Sequence, residues 1–224
     1  LWLFKIALQG KKVQNIFYLL GTQGIGKTTL LDRLMATMLG PLNVGVCDLS
    51  KMARTGFTAE ADKKLILYTD DTNLSDRGAE FAKSLTNGTY SHTEKFKNSE
   101  VKASNLTLFI LANPDTARIP VTPHDRRTVV FDLQEIPIES HPKYKNGEFQ
   151  PIYDALTDID MVGEFSRWVK DVYVPKYPMH KEIKYRTKNH FKVVLRSYSG
   201  AKESAIITSF IECGVNGTMV TERH

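Results

Sequence analysis

The chain has 224 residues, 42% of them apolar and 25% charged, with a formal net charge of +5. This is the balance of a soluble globular protein, long enough for one large domain or for a domain with a smaller appendage. Its only two cysteines, Cys47 and Cys213, stand far apart with no partners at metal-ligand spacing, which argues against a disulfide framework and a zinc site and fits an intracellular location.

The opening LWLFKIALQG is apolar but too short to span a bilayer, and it lacks a cationic lead or a cleavage site. Residues 1–12 are expected to be the end of a preceding helix or linker in a piece of a longer protein that carries no membrane segment here. From Val13 the text becomes informative. VQNIFYLL (Val13 to Leu20) is a continuous apolar, β-rich run that reads as a buried strand, and TTLLDRLMATMLG has helical apolar spacing that stops at Gly40 and Pro41. Between them lies GTQGIGKTT: Gly21, Thr22, Gln23, Gly24, Ile25, Gly26, Lys27, Thr28 and Thr29.

Strand, glycine loop and helix in that order make the phosphate loop Gly, four residues, Gly-Lys-Ser/Thr. Successive backbone N–H groups and the helix N-terminus form a concave anion site, Lys27 reaches the terminal phosphates of ATP, and the Thr28 hydroxyl ligates Mg²⁺. Glycines at 21, 24 and 26 let the backbone approach a phosphate where a Cβ would intrude.

NVGVCDL (Asn43 to Leu49) reads as a short strand, and SKMARTGFTAEAD as a polar helix or loop. KKLILYTDD (Lys63 to Asp71) is an apolar run ending in two carboxylates, the pattern of a second acidic motif. Its strand is expected beside the phosphate-loop strand, with Asp70 reaching the Mg²⁺ shell through water and Asp71 orienting or deprotonating the attacking water. SDRGAEFAKSLTNG (Ser75 to Gly88) is helical in pattern, and TYSHTEKFKNSEVKASN reads as an exposed hairpin with no continuous face to bury. NLTLFILANPD (Asn105 to Asp115) is a third buried strand that delivers Asn113 at its C-terminal end, where ligands sit in open parallel sheets; a turn residue before Pro114 is the plain alternative. HDRRTVVFDL (His124 to Leu133) sets Arg126 and Arg127 directly before a fourth strand.

The text from Gln134 to Tyr153 is turn-rich, a boundary signal. DMVGEFSRWVKDVY is an amphipathic helix with Phe165 and Trp168 expected in the core. Lys176, Lys181, Lys184, Arg186, Lys188, Lys192, Arg196 and Lys202 face the single acid Glu182 over the following stretch, which is either a solvated face or a contact for a phosphate backbone. The expected architecture is therefore α/β: a P-loop parallel sheet flanked by helices over 13–135, and a small, mainly helical extension over 136–224 that could form part of a winged helix.

GTQGIGKTT, LILYTDD, LTNGTYSHTEKFKNSEVKA, LFILAN and DRRTVVFDL, in this order and at these short spacings, resemble the ATPase domain of superfamily 3 helicases, with the poxvirus-type primase-helicases nearest. The resemblance covers about Gln14 to Leu133. It implies an ATP hydrolase working as a homo-oligomeric, hexameric ring that moves on single-stranded DNA. The alternative is an RNA-directed or membrane-associated viral P-loop ATPase, with a small-molecule kinase as a more distant reading. By the same resemblance Asp70 and Asp71 form the second acidic motif, Asn113 is the polar sensor that positions the lytic water, and Arg127 is the arginine finger that reaches a neighbouring subunit's nucleotide, with Arg126 adjacent. Lys95 and Phe96 occupy the tip of the family's DNA-tracking hairpin, and Lys97 and Lys102 are further phosphate contacts. Where several members carry Lys-His at this tip, the chain has Lys95-Phe96, still a cation beside a stacking surface.

Overall fold

The computed structural model describes residues 14–70, 74–96, 98–113, 125, 127–133 and 137–176. Asp71, Lys97, Arg126, residues 1–13 and the stretch beyond Lys176 lie outside them, and with them most of the basic cluster. The main sheet has five strands, β1 (Ile16–Leu20), β2 (Val44–Val46), β3 (Ile66–Thr69), β6 (Thr107–Ala112) and β7 (Thr128–Asp132), in the order β2-β3-β6-β1-β7. All of its pairings are parallel. A separate antiparallel hairpin joins β4 (Thr89–His92) to β5 (Glu100–Ala103).

Parallel strands need covered faces, and the apolar runs supply them. Side chains alternate along β1, so Ile16, Tyr18 and Leu20 enter one apolar cluster while Phe17 and Leu19 enter the other. β6 divides likewise, with Leu108, Ile110 and Ala112 on the first side and Phe109 and Leu111 on the second. The first side is closed by α2 (Leu49–Thr55) through Leu49 and Met52, and by α3 (Asp76–Leu85) through Ala79, Ala82 and Leu85. The second is closed by α1 (27–39), which runs from Lys27–Thr29 through a π-helical stretch Leu30–Met35 to Ala36–Leu39 and contributes Leu31 and Met35. The result is a helix–sheet–helix sandwich.

Local signals set the helix starts. Asp48 accepts from the Lys51 amide at 2.7 Å at the head of α2, and Ser75 Oγ accepts from the Gly78 amide at 3.1 Å at the head of α3. Short helices α4 (Pro142–Lys145) and α5 (Gln150–Ala155) follow β7. The last described helix, α6 (159–176), starts at Ile159 under an Asp158 cap and buries Val162 and Val169, the latter in the second layer. Trp168 of α6, expected in the core, is 45% exposed because it lies off the stripe marked by those two valines, while Phe165 packs against the second cluster. No helix among the described residues is long and apolar enough to cross a membrane.

Two expectations are corrected. The acidic-motif strand β3 does not lie beside β1: β6 intervenes, pairing with both. β6 is the longest of the fully buried strands, six residues, and takes the centre of the sheet. The hairpin, read as having no face to bury, does bury one. Tyr90 and His92 alternate inward along β4, and Thr58 fastens them by donating to the Ser91 carbonyl at 3.0 Å and accepting from the Thr93 amide at 2.8 Å.

Phe17 is fully buried and stacks on Phe109 with ring centroids 5.3 Å apart. We expect Phe17→Ala to cost about 3–5 kcal/mol in urea unfolding, whereas Val101→Ala, at a position 76% exposed, should stay within about ±0.5 kcal/mol.

Candidate functional site

Parallel pairing gathers the C-terminal strand ends at one edge. In register, Leu20 of β1 stands opposite Ala112 of β6, and Thr69 of β3 opposite Ile110. The residues that follow emerge from three neighbouring strands in the lateral order Asp70, Asn113, Gly21; Gly21 is level with Asn113, whereas Asp70 is level with Leu111, two residues short of it. The Gly21 amide donates to the Ala112 carbonyl at 3.0 Å, which sets the start of the glycine loop against the end of β6. The insertion of β6 places Asn113 between the other two strand ends, although Asn113 does not line the cavity that Lys27, Thr28 and Asp70 share.

The glycine loop turns tightly into α1. Gly24 and Gly26 take φ of 82° and 87°, the left-handed region where a side chain is disfavoured. A Cβ on Gly21 would meet the Ile25 side chain at 2.2 Å. The loop folds over its own lysine: Lys27 Nζ donates to the Gly21 carbonyl at 2.6 Å and to the Thr22 carbonyl at 2.9 Å. Partial burial lowers the Lys27 pKa from its ordinary value, opposed by the negative charge of Asp70. An ammonium held partly out of water attracts an incoming anion, while the Asp70 carboxylate repels one unless a cation lies between them.

These groups line one cavity of about 210 Å³. Gln23, Gly24, Gly26, Lys27, Thr28 and Thr29 come from the loop and the first turn of α1, and Asp70 comes from β3. The lining thus offers one cation, two hydroxyls and a carboxylate, groups that match a polyphosphate and, through Thr28 and Asp70, a hard oxygen-ligated cation such as Mg²⁺. Behind this wall the Tyr68 hydroxyl makes a short hydrogen bond to the Asp32 carboxylate, tying the strand that carries Asp70 to α1. Burial, together with that bond and the nearby charges of Asp32 and Asp70, raises the Tyr68 pKa and keeps its phenol protonated.

Ile138 and Tyr153 complete the cavity, and no motif marks either of them. The Ile138 amide donates to the Gly24 carbonyl at 3.0 Å, so the segment after β7 folds back over the loop. The only trace in the sequence is an apolar pair, Pro137-Ile138, within a turn-rich stretch.

The other expected residues lie at the opposite edge. Arg127 directly precedes β7, whose first residue stands opposite Ile16 and whose last, Asp132, stands opposite Leu20. A full strand of five residues, about 17 Å at 3.3 Å per residue, separates Arg127 from the level of its own glycine loop. The Arg127 guanidinium donates to the Lys83 carbonyl at 3.1 Å and to Asn87 Oδ1 at 2.9 Å, just ahead of the hairpin. Asp125 steadies the turn by accepting from the Arg127 amide at 2.8 Å and from Thr128 Oγ1 at 3.0 Å.

At the hairpin tip Phe96 is 93% exposed at a φ of 66°, with Lys95 Nζ 5.0 Å from the centre of its ring. Lys102 differs from the two tip residues in being engaged within the chain. It bonds Asp62 and Glu100, each at 3.1 Å. Desolvation works against its charge, but the two carboxylates outweigh it and hold the ammonium above its usual pKa.

The family of unknown function DUF5906 matches residues 19–127, just under half of the chain. No curated protein matches it in sequence. Three structures of the NrS-1 C-terminal region share its fold. One, in an apo A form, superposes with a TM-score of 0.66 at 16% identity, covering 96% of this chain and 52% of that one. A second A-form apo structure gives 0.62 at 14% identity over 99% and 53%, and a further apo structure gives 0.56 at 16% identity over 99% and 54%. The chain thus spans about half the length of the NrS-1 region it resembles, and at these identities the likeness is one of fold.

Gly24→Ala and Gly26→Ala should each cost about 1–2 kcal/mol for the left-handed backbone. Gly26→Ala should cost more, because its Cβ would also come within 3.0 Å of Ile138 Cδ1, while that of Gly24 meets nothing closer than Pro137 at 3.6 Å. Urea unfolding of the two variants side by side checks the order.

Proposed function

We propose that this chain is the ATPase domain of a superfamily 3-type helicase, which hydrolyses ATP between subunits of a hexameric ring and uses the turnover to move along single-stranded DNA. The convergence of Lys27, Thr28 and Asp70 on one cavity at the C-terminal edge of a parallel sheet carries this reading, since a strand-end loop of left-handed glycines leading into a helix suits phosphates. In this reading the Lys27 ammonium leaves the loop carbonyls to bind the β- and γ-phosphates. Thr28 and Asp70 would hold Mg²⁺, which when bound neutralises developing phosphate charge. Asn113, emerging between Gly21 and Asp70, orients the attacking water, and Asp71 is the base that accepts its proton.

Arg127 supports the ring. A strand's length from its own loop, it can serve only a nucleotide bound by a neighbour. Its bonds to Lys83 and Asn87 tie it to the residues that lead into β4. Engagement of Arg127 by a neighbour's phosphate breaks these bonds and thereby reaches the hairpin, where Lys95 and Phe96 present a cation and a π-face suited to a sequence-independent grip on a strand.

ATP turnover measured against protein concentration, with and without single-stranded DNA, tests the proposal: a finger in trans demands a steep rise with concentration, and DNA should stimulate it. Lys27→Ala should abolish ATP binding; retained affinity would remove the phosphate-loop reading. Arg127→Ala should spare binding and slow turnover by roughly 10³-fold or more. Mixed with Lys27→Ala subunits, it should regain activity at composite sites, and failure of every assembled mixture to do so would exclude Arg127 as the finger. Replacing Lys95 and Phe96 with alanine together should leave basal hydrolysis intact, weaken DNA binding by up to about 1–3 kcal/mol and abolish unwinding. Normal unwinding by that variant would move the grip away from the hairpin.

A further inference from the structure

The cavity at the glycine loop has two chemically different walls. Lys27, Thr28, Thr29 and Asp70 form a polar wall that accounts for phosphates and a cation. Ile138 and Tyr153 form an apolar and aromatic wall that phosphate chemistry does not use. Ile138 is fixed to the first wall, because its amide donates to the Gly24 carbonyl and its Cδ1 sits where a Cβ on Gly26 would come within 3.0 Å, and Tyr153 faces the same cavity.

Among the described residues, core packing does not account for Tyr153. It is half-buried on α5 and belongs to neither apolar cluster, although other partly buried aromatics such as Phe165 and Tyr173 do pack against one. The cavity of about 210 Å³ is below the roughly 300–1,000 Å³ of ordinary small-molecule sites, so a ligand larger than a polyphosphate must use the walls that rise from it. A ligand that is anionic at one end and a flat aromatic at the other matches both walls, and a nucleoside triphosphate has that form.

We propose that Ile138 and Tyr153 form the nucleobase subsite of this cavity, with the Tyr153 ring as the stacking surface for the base. The inference rests on the phosphate-loop reading and deepens it, since it makes the segment after β7 the part of the chain that distinguishes a nucleotide from bare polyphosphate. Stacking uses the face of the ring, so phenylalanine serves at position 153 and alanine does not.

The test is calorimetric titration of the full chain, in Mg²⁺, with a non-hydrolysable ATP analogue and separately with inorganic tripolyphosphate. The wild type should bind the analogue more tightly than tripolyphosphate. Tyr153→Ala should weaken the analogue by roughly 10-fold and change tripolyphosphate less than twofold, and Tyr153→Phe should bind both like the wild type. Unchanged affinity of Tyr153→Ala for the analogue would overturn the subsite. So would equal losses for both ligands in Tyr153→Ala and in the milder Tyr153→Leu, which would assign Tyr153 to holding the loop. If the wild type bound neither ligand, or Lys27→Ala bound tripolyphosphate as well as the wild type, the phosphate-loop reading would fail and take the subsite with it. If instead Lys27→Ala loses both ligands while Tyr153→Ala loses neither, the subsite alone fails.

Discussion

β1 has no face left for water. Its five residues are buried without a break, their side chains divide between two apolar layers, and its backbone pairs on both sides, with β6 and with β7. A strand so enclosed must sit inside the sheet, and its C-terminal end must open between two neighbours. The glycine loop starts there. Its tight turn is anchored by one backbone bond to β6, from the Gly21 amide, and by another from Leu133 after β7, whose amide donates to the Leu20 carbonyl at 2.7 Å. The cavity is accordingly built at the end of a strand enclosed on both faces and both sides.

The two edges of the sheet carry different work. The C-terminal edge collects Lys27, Thr28, Asp70 and Asn113, while the hairpin and Arg127 belong to the N-terminal edge, where the Thr107 amide donates to the Leu65 carbonyl and joins the starts of β6 and β3. In the proposed function, chemistry and grip are thus separated by the length of a strand. The hairpin root is held by bonds from Thr58, by the pairing of Lys102 with Asp62 and Glu100, and by a His92–Glu94 contact of 3.0 Å. Towards the tip, Thr93 Oγ1 and Ser99 Oγ are hydrogen-bonded at 2.9 Å, and Lys95 lies over the exposed Phe96 ring. A firmly rooted hairpin with an exposed cationic and aromatic end is mechanically suited to transmit a displacement of its base.

Local signals in the amino-acid order were enough for the α/β architecture, the strand–loop–helix around Gly21 to Thr29, the acidic end of β3, the helix capped at Ser75 and the hairpin that follows it. Each rests on residues near one another in the chain, such as a continuous apolar run, a helical apolar spacing or a glycine-rich turn. Strand order was beyond their reach. β3 and β6 are both short apolar runs, and only the competition among them for burial on both faces places β6 beside β1 and Asn113 between Gly21 and Asp70. The pairing of Lys102, the tether of Arg127 to Asn87 and the return of Ile138 and Tyr153 over the glycine loop likewise join residues tens of positions apart. Composition and spacing fall silent at such distances, because a side chain's partner across the fold is chosen by packing and leaves no local mark.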